Sequence, residues 1–179
     1  MAETKRKQKF FDVEMPIINR ETQLYGYGID ELNGKTIKYD LTRILRGKNV
    51  LLSLTVKVEG GKAMASPKEF VVLPYFLRRM IRKGINYVED SFSAETKDSI
   101  VSVKPFLITR KKVSRSVRKA LREKAAEEIK NYLKGKDTNT IFDELLQGKL
   151  QKQLSLKLKK IYPLSLCEIR MFSVEKQNK

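Results

Sequence analysis

Short apolar runs separated by turn residues fill the first part of the chain, between residues 10 and 73. Residues 11–16 alternate apolar and polar side chains, and Asn33-Gly34 is typical of a tight hairpin turn. A longer apolar run at residues 50–58 is closed by Gly60-Gly61. Further short strands are predicted over residues 24–28, 36–41 and 69–73. Antiparallel strands at this spacing predict a curled sheet or a β-barrel.

Apolar residues at helical spacing follow in the second half of the chain. The clearest helix begins near Ser114, a good N-cap residue, and runs to about Lys134, where Gly135 is placed to end it. One stripe of this helix is expected to face the core, through Val117, Leu121, Ala125, Ile129 and Tyr132 or Leu133. Similar spacing predicts helices over residues 74–83, 140–147 and 149–161, and strands are expected over residues 85–92, 99–109 and 164–174.

The length of the chain limits how many cores it can build. A chain of 179 residues can bury one sizeable core and is short for two independent domains. We therefore expect an α+β fold, a curled antiparallel sheet or β-barrel with packed helices and basic terminal extensions. The expected divisions are a basic N-terminal arm at residues 1–9, a single domain at residues 10–174 and a polar C-terminal tail at residues 175–179.

The charge balance is strongly basic. The chain has 38 Lys and Arg against 21 Asp and Glu, a formal net charge of +17, and most of the excess follows residue 100. A field of this size favours a polyanionic partner, because the compact chain otherwise repels itself. Nucleic acid, acidic membranes and acidic proteins all meet that requirement, so the distribution of the charge has to decide among them.

The most basic segment lies at residues 104–124, where nine Lys or Arg stand against the single acid Glu123. On a helix, four of these cations fall at i, i+3, i+4 and i+7: Arg115, Arg118, Lys119 and Arg122. A charge run of mixed sign is usually a solvated helix face, but these four have one sign and repel one another. Phosphates between them relieve that repulsion, and arginine offers a planar fork that matches phosphate oxygens.

We extend this interpretation to the neighbouring loop, to the basic side of the helix before Gly84 and to the N-terminal arm. The candidate RNA-binding residues are Arg110, Lys111, Lys112, Arg115, Arg118, Lys119, Arg122, Arg78, Arg79, Arg82, Lys83, Lys5, Arg6 and Lys7. A competing interpretation is a membrane-surface helix at residues 149–161, which is basic and amphipathic. It lacks Trp and Phe on its apolar face, and its leucines fit a core. Tyr25, Tyr27 and Phe92 are expected to pack rather than to stack on bases.

The residues that usually carry catalysis and metal binding are scarce. Histidine is absent, Cys167 is the only cysteine, and no glycine-rich phosphate loop occurs. We therefore predict no catalytic residues, no metal site, no cofactor and no small-molecule substrate, and the chain is not expected to be an enzyme. A lone cysteine without a leader or a membrane-spanning run fits an intracellular protein.

Four stretches, in order, resemble a known family. They are Phe10-Phe11-Asp12-Val13-Glu14-Met15-Pro16; Tyr39-Asp40-Leu41 with Val50-Leu51; Leu107-Ile108-Thr109-Arg110-Lys111-Lys112 leading to Val117-Arg118-Lys119; and Ile161-Tyr162-Pro163-Leu164. Together they resemble the archaeal and eukaryotic small-subunit ribosomal proteins called S-three-A-e, or eS-one. The first aromatic is Phe10 where the family usually has Trp, and the compact length, without the longer head and tail of eukaryotic members, looks archaeal.

The resemblance implies a structural constituent of the small ribosomal subunit that supports translation. It implies binding to ribosomal RNA on the platform near the messenger exit, with platform proteins as neighbours, messenger RNA as a further partner and a cytoplasmic, ribosome-bound location. No catalysis or cofactor is implied. The alternatives are a basic RNA-binding translation regulator outside the ribosome and a membrane-surface interaction module.

Overall fold

The computed structural model describes residues 7–45 and 47–177. These residues form two compact units. The first contains the described residues as far as Tyr39 together with Ser53–Lys68, and the second contains those of Asp40–Leu52 and those from Glu69 onward. The single domain expected over residues 10–174 stays a prediction.

The first unit is built around a hairpin. Strands β1 (Lys9–Met15) and β2 (Arg20–Gly26) pair antiparallel from Lys9↔Gly26 to Met15↔Arg20. A single 3₁₀ turn joins them and ends at Asn19, which adopts the left-handed conformation that Asn tolerates better than most residues (φ 52°).

Three further strands contribute to this unit: β3 (Thr36–Asp40), β4 (Val50–Glu59) and β5 (Lys62–Val72). β3 pairs with β4, β4 with β5, and β5 runs parallel to β1 at Val13↔Ala63. Gly60 and Gly61 both have positive φ, as the tight turn between β4 and β5 requires. The strand order β2-β1-β5-β4-β3 is an open sheet rather than a closed barrel, and its β1–β5 pair departs from the wholly antiparallel expectation.

The second unit is organised around β8 (Ser99–Thr109). β9 (Leu164–Gln177) pairs with it antiparallel along its whole length, from Ser99↔Gln177 to Thr109↔Leu164. Two short strands, β6 (Tyr87–Glu89) and β7 (Phe92–Glu95), also pair with β8, and the end of β5 pairs with β9. This second set of pairings is also open within the described residues. Pro105, which has no backbone N–H to donate, lies at a register shift between β8 and β9.

Four helices belong to the second unit: α1 (Pro74–Met80), α2 (Arg115–Leu133), α3 (Thr138–Leu146) and α4 (Lys149–Leu158). α2 buries Leu121, Ala125, Ile129 and Leu133, which confirms the predicted stripe and selects Leu133 over Tyr132. Phe142 of α3 meets Phe172 of β9 edge to face, with ring centroids 5.0 Å apart. No helix in the described part of the chain is both long and apolar enough to cross a membrane.

The mixed α+β class is confirmed, and several element boundaries differ from prediction. β5 begins at Lys62 rather than near residue 69, because the inward positions Ala63 and Ala65 are too small to give a clear apolar alternation. α1 ends at Met80, since Ile81 is extended and 40% exposed although it continues the helical spacing. The strand expected at residues 85–92 is two strands, and β9 extends to Gln177, past the predicted boundary at residue 174.

Two aromatic residues of the first unit also differ from prediction. Tyr25 and Tyr27, which were expected to pack, are 53% and 51% exposed. The ring of Tyr25 lies 4.9 Å from that of Phe10, its cross-strand neighbour, which is itself 67% exposed. The expectation of buried packing was wrong at these positions because the pair lies on the solvent side of the hairpin.

Candidate RNA-binding surface

The N-terminal half of α2 carries the largest group of predicted site residues. Ser114 caps the helix, because its side-chain oxygen accepts a hydrogen bond from the backbone N–H of Val117 (3.4 Å). With the helix start fixed there, residues three, four and seven positions apart share one side. That side presents Arg115, Arg118, Lys119 and Arg122. Arg118 is half-buried and the other three are exposed.

A concave pocket of about 240 Å³ lies between this side of α2 and β6. It is lined by Tyr87, Val88, Arg115, Arg118, Lys119 and Arg122. The ring of Tyr87 is stacked on the buried ring of Phe106, with centroids 5.8 Å apart and planes 18° apart, yet Tyr87 remains 52% exposed. The pocket therefore combines four cations with one exposed aromatic side chain.

The loop that leads into α2 carries the three consecutive cations at residues 110–112, all exposed. Its base is held by the side chain of Asn86, whose amide oxygen accepts a hydrogen bond from the backbone N–H of Val113 (2.9 Å). The hydroxyl of Thr109 lies within hydrogen-bonding distance of the backbone carbonyls of Asn86 (2.9 Å) and Lys111 (2.8 Å). The loop is thus anchored at both ends while its basic side chains stay exposed.

We define the basic surface as this loop together with the α2 side that follows it: Arg110, Lys111, Lys112, Arg115, Arg118, Lys119 and Arg122. Within the described residues, only Lys119 of this set forms an ion pair, with Glu123 at 3.7 Å. Both of those side chains are strongly exposed, at 76% and 66%, so the pair neutralises little. The other six cations have no carboxylate partner in the described part of the chain.

Carboxylates do neutralise the second half of α2. Lys124 pairs with Glu127 (3.0 Å) and Glu128 (3.3 Å). Glu128 also accepts a hydrogen bond from Lys157 of α4, and this contact, reinforced by Lys124, holds the pKa of the Glu128 carboxyl below its usual value. The contrast between the two halves of one helix shows that the charge excess of α2 is concentrated in the basic surface.

The cations near α1 do not form the single helical side that was predicted. Arg78 and Arg79 lie in the last turn of α1, whereas Arg82 and Lys83 lie beyond the end of the helix, and all four are exposed. Arg79 lies 5.7 Å from the ring centroid of Phe76. The chain then reaches Asn86, the residue that anchors the basic loop, so Arg82 and Lys83 enter the basic surface's own support segment.

The N-terminal candidates are only partly within the described residues. Lys5 and Arg6 lie outside them. Lys7 is described and exposed, and it belongs to the first unit, immediately ahead of β1. An ordered arm on RNA therefore stays a prediction for these three residues.

The lysine-rich helix α4 bears on the membrane alternative. Its apolar side is buried, through Leu150, Leu154 and Leu158, and only Leu156 is strongly exposed, at 68%. A helix that lies on lipid needs a continuous exposed apolar side. The packing of α4 in the second unit leaves it without one.

Tyr87 is the site residue that sequence reasoning missed. It falls in a segment that was predicted as a strand, and nothing in the local sequence separates it from an ordinary strand tyrosine. Its position beside four cations follows from the packing of β6 against α2. The order Tyr87-Val88 on a short strand gives no signal for that packing.

Comparison with known proteins identifies the family. The model of the Ribosomal S3Ae family matches residues 3–178. The small ribosomal subunit protein eS1 of Nanoarchaeum equitans is 27% identical over 191 residues, covering 99% of this chain and 93% of that protein. The eS1 proteins of Pyrobaculum aerophilum and Haloquadratum walsbyi are 29% and 26% identical, covering 77% and 82% of this chain and 63% and 71% of theirs. The family match spans nearly the whole sequence, and the chain therefore belongs to the Ribosomal S3Ae family.

Proposed function

We propose that this chain is a structural constituent of the small ribosomal subunit that binds ribosomal RNA through its basic surface. The observation that carries the proposal is the set of exposed or half-exposed cations on the loop and α2 that have no carboxylate partner within the described residues. The family assignment supplies the ribosomal context, since the related eS1 proteins are named as small-subunit proteins.

The physical reason is electrostatic. Like charges three and four residues apart on a helix repel, and nothing in the described part of the chain relieves that repulsion at Arg115, Arg118 and Arg122. An RNA backbone places phosphates along such a stripe, and release of its counterions adds a favourable free energy of binding. Arginine forks also hold phosphate oxygens in a fixed geometry. Recognition would rest on RNA shape and on protein neighbours, because phosphate contacts position a protein without reading sequence.

Around this surface we place the other candidates as supporting contacts. Arg78, Arg79, Arg82 and Lys83 would extend the contact from the α1 side, and Lys5, Arg6 and Lys7 would order on RNA as an arm. Within the subunit we place the chain on the platform near the messenger exit, beside other platform proteins and close to messenger RNA, in the cytoplasm. The family resemblance supports this placement. The role is structural, without catalysis, cofactor or metal.

Sedimentation tests the proposal. The tagged wild-type chain is expected to travel almost wholly with the small subunit in a density gradient at moderate salt. Charge reversal by Arg115→Glu, Arg118→Glu and Arg122→Glu is expected to leave most of the chain in the free pool. A matched control reverses three exposed cations of the first unit, Lys35, Lys38 and Lys57, and should sediment like wild type.

The same gradient separates the alternatives. A large free pool of the wild-type chain would support a regulator outside the ribosome and contradict a structural role. Flotation of the wild-type chain with anionic vesicles, in preference to sedimentation with subunits, would support a membrane-surface module. Equal incorporation of the reversed variant and the control would contradict the assignment of the basic surface.

A further inference from the structure

The pocket between β6 and α2 has features that backbone binding alone does not use. A flat row of cations is enough to follow a chain of phosphates, but here the cations surround a concavity of about 240 Å³ with the Tyr87 side chain in its wall. Pockets for drug-sized ligands usually start at roughly 300 Å³. The size therefore suits one building block of a polymer better than a complete cofactor.

The ring of Tyr87 is held in place from behind. Phe106 is 1% exposed, and the two rings are nearly parallel, so one face of Tyr87 is turned toward the core and the exposure of the residue comes from the rest of the ring. The β6–β8 pairing places Tyr87 opposite Ile108, which fixes the backbone as well. A rigid ring with an open face is what base stacking requires, since little freedom is lost on binding.

The cations of the pocket are available to an anionic group. The Nε atom of Arg118 is buried and has no hydrogen-bond partner among the described residues. Arg115 and Arg122 line the same concavity and have no carboxylate partner in the described part of the chain. A buried donor without an acceptor is unfavourable, and a ligand oxygen that reaches it removes that penalty.

We infer that this pocket receives one unpaired nucleotide of the bound RNA, whose base stacks on Tyr87 while its phosphate is held by Arg115, Arg118 and Arg122. The inference rests on the proposed RNA-binding function and adds a recognition element to it. Bases inside a duplex are stacked on each other and cannot reach the ring, so the nucleotide has to come from a bulge, a loop or a single strand. The basic surface would then distinguish unpaired RNA from a continuous duplex.

The test uses the full chain and a single-stranded oligoadenylate of about eight nucleotides that carries one 2-aminopurine, a fluorescent base. The same strand annealed to its complement is the paired probe. Wild-type protein is expected to bind the single strand and quench the 2-aminopurine, and to bind the duplex without that quenching.

Three variants separate stacking from charge. Tyr87→Ala is expected to weaken single-strand affinity by roughly 5- to 150-fold and abolish the quenching, because base stacking on an aromatic ring is worth that much. Duplex affinity should not change. Tyr87→Phe, which keeps the ring, should behave like wild type. Tyr27→Ala is the matched control, since Tyr27 is exposed to the same degree (51%) in the first unit.

The outcomes distinguish this inference from the proposed function. If Tyr87→Ala keeps full single-strand affinity and quenching, the nucleotide pocket is wrong while backbone binding stands. If Tyr87→Ala loses duplex and single-strand binding equally, the ring only supports the surface, and the inference is again wrong. Binding of neither probe by wild type would overturn both proposals. Displacement of the oligonucleotide by adenosine monophosphate at equal concentration would reassign the pocket to a soluble nucleotide.

Discussion

Neutralising the basic surface gives a prediction whose size follows from counting contacts. We consider the triple variant Arg115→Gln, Arg118→Gln and Arg122→Gln, which removes three positive charges and keeps polar side chains of moderate length. None of the three arginines has a carboxylate partner in the described ranges, so their loss breaks no ion pair there. The direct effect is the loss of three phosphate contacts.

Each phosphate contact contributes about 0.7 to 0.9 to the slope of log affinity against log salt concentration. Three contacts therefore contribute about 2 to 3 units of slope. Between 50 and 200 mM salt, a fourfold change, wild-type affinity is expected to fall about 20- to 40-fold more than the affinity of the variant. The assay is fluorescence anisotropy with a labelled RNA stem-loop at several salt concentrations.

The control variant neutralises three exposed lysines of the first unit, through Lys35→Gln, Lys38→Gln and Lys57→Gln. It changes the net charge by the same amount, so it reports the effect of overall charge alone. Its slope is expected to stay within about half a unit of the wild-type value, well below the loss of three contacts. Equal slopes for the triple arginine variant and wild type would refute the assignment of phosphate contacts to α2.

Three further predictions concern the support of the surface, a buried ion pair and the cysteine. Asn86→Ala removes the acceptor for the Val113 N–H and should lower the free energy of unfolding by about 1 kcal/mol in urea titrations and weaken RNA binding. Burial opposes ionisation of Glu144, but the hydrogen bonds from Lys136 prevail and keep its pKa below 4.5. Stability from this carboxylate is present above pH 4.5 and lost as the pH falls through the lowered pKa, so Glu144→Gln should flatten acid destabilisation. Burial raises the pKa of Cys167 to about 12, so iodoacetamide should label the folded chain far more slowly than the unfolded chain at pH 8.

The helical part of the fold could be predicted because its signals are local. Ser114 as cap, and Leu121, Ala125 and Ile129 as the buried stripe, follow from helical geometry alone. The spacing of the α2 cations likewise defines one side of the helix without any knowledge of the tertiary structure.

The strand pairings needed information that is not local. The parallel contact of Val13 with Ala63 joins residues fifty positions apart, and no turn or alternation in the sequence encodes it. The start of β5 was missed because Ala63 and Ala65 are small residues with weak strand preference, although both are buried. In such stretches, tertiary packing outweighs the local pattern.

The candidate site was predictable in its charge and unpredictable in its shape. Glu128 neutralises Lys157, which is 29 residues away in sequence, so the division of α2 into a balanced and an unbalanced half appears only in the fold. The pocket depends in the same way on β6 packing against α2, which brings Tyr87 beside Arg118. Neither feature has a signature at short sequence separation.

A density map of the intact small subunit containing this chain tests the central claim most directly. The account predicts RNA phosphates within ion-pair distance of Arg115, Arg118 and Arg122, and RNA backbone along the loop at residues 110–112. A map in which this side of α2 faces another protein or open solvent, with RNA elsewhere on the chain, would contradict it.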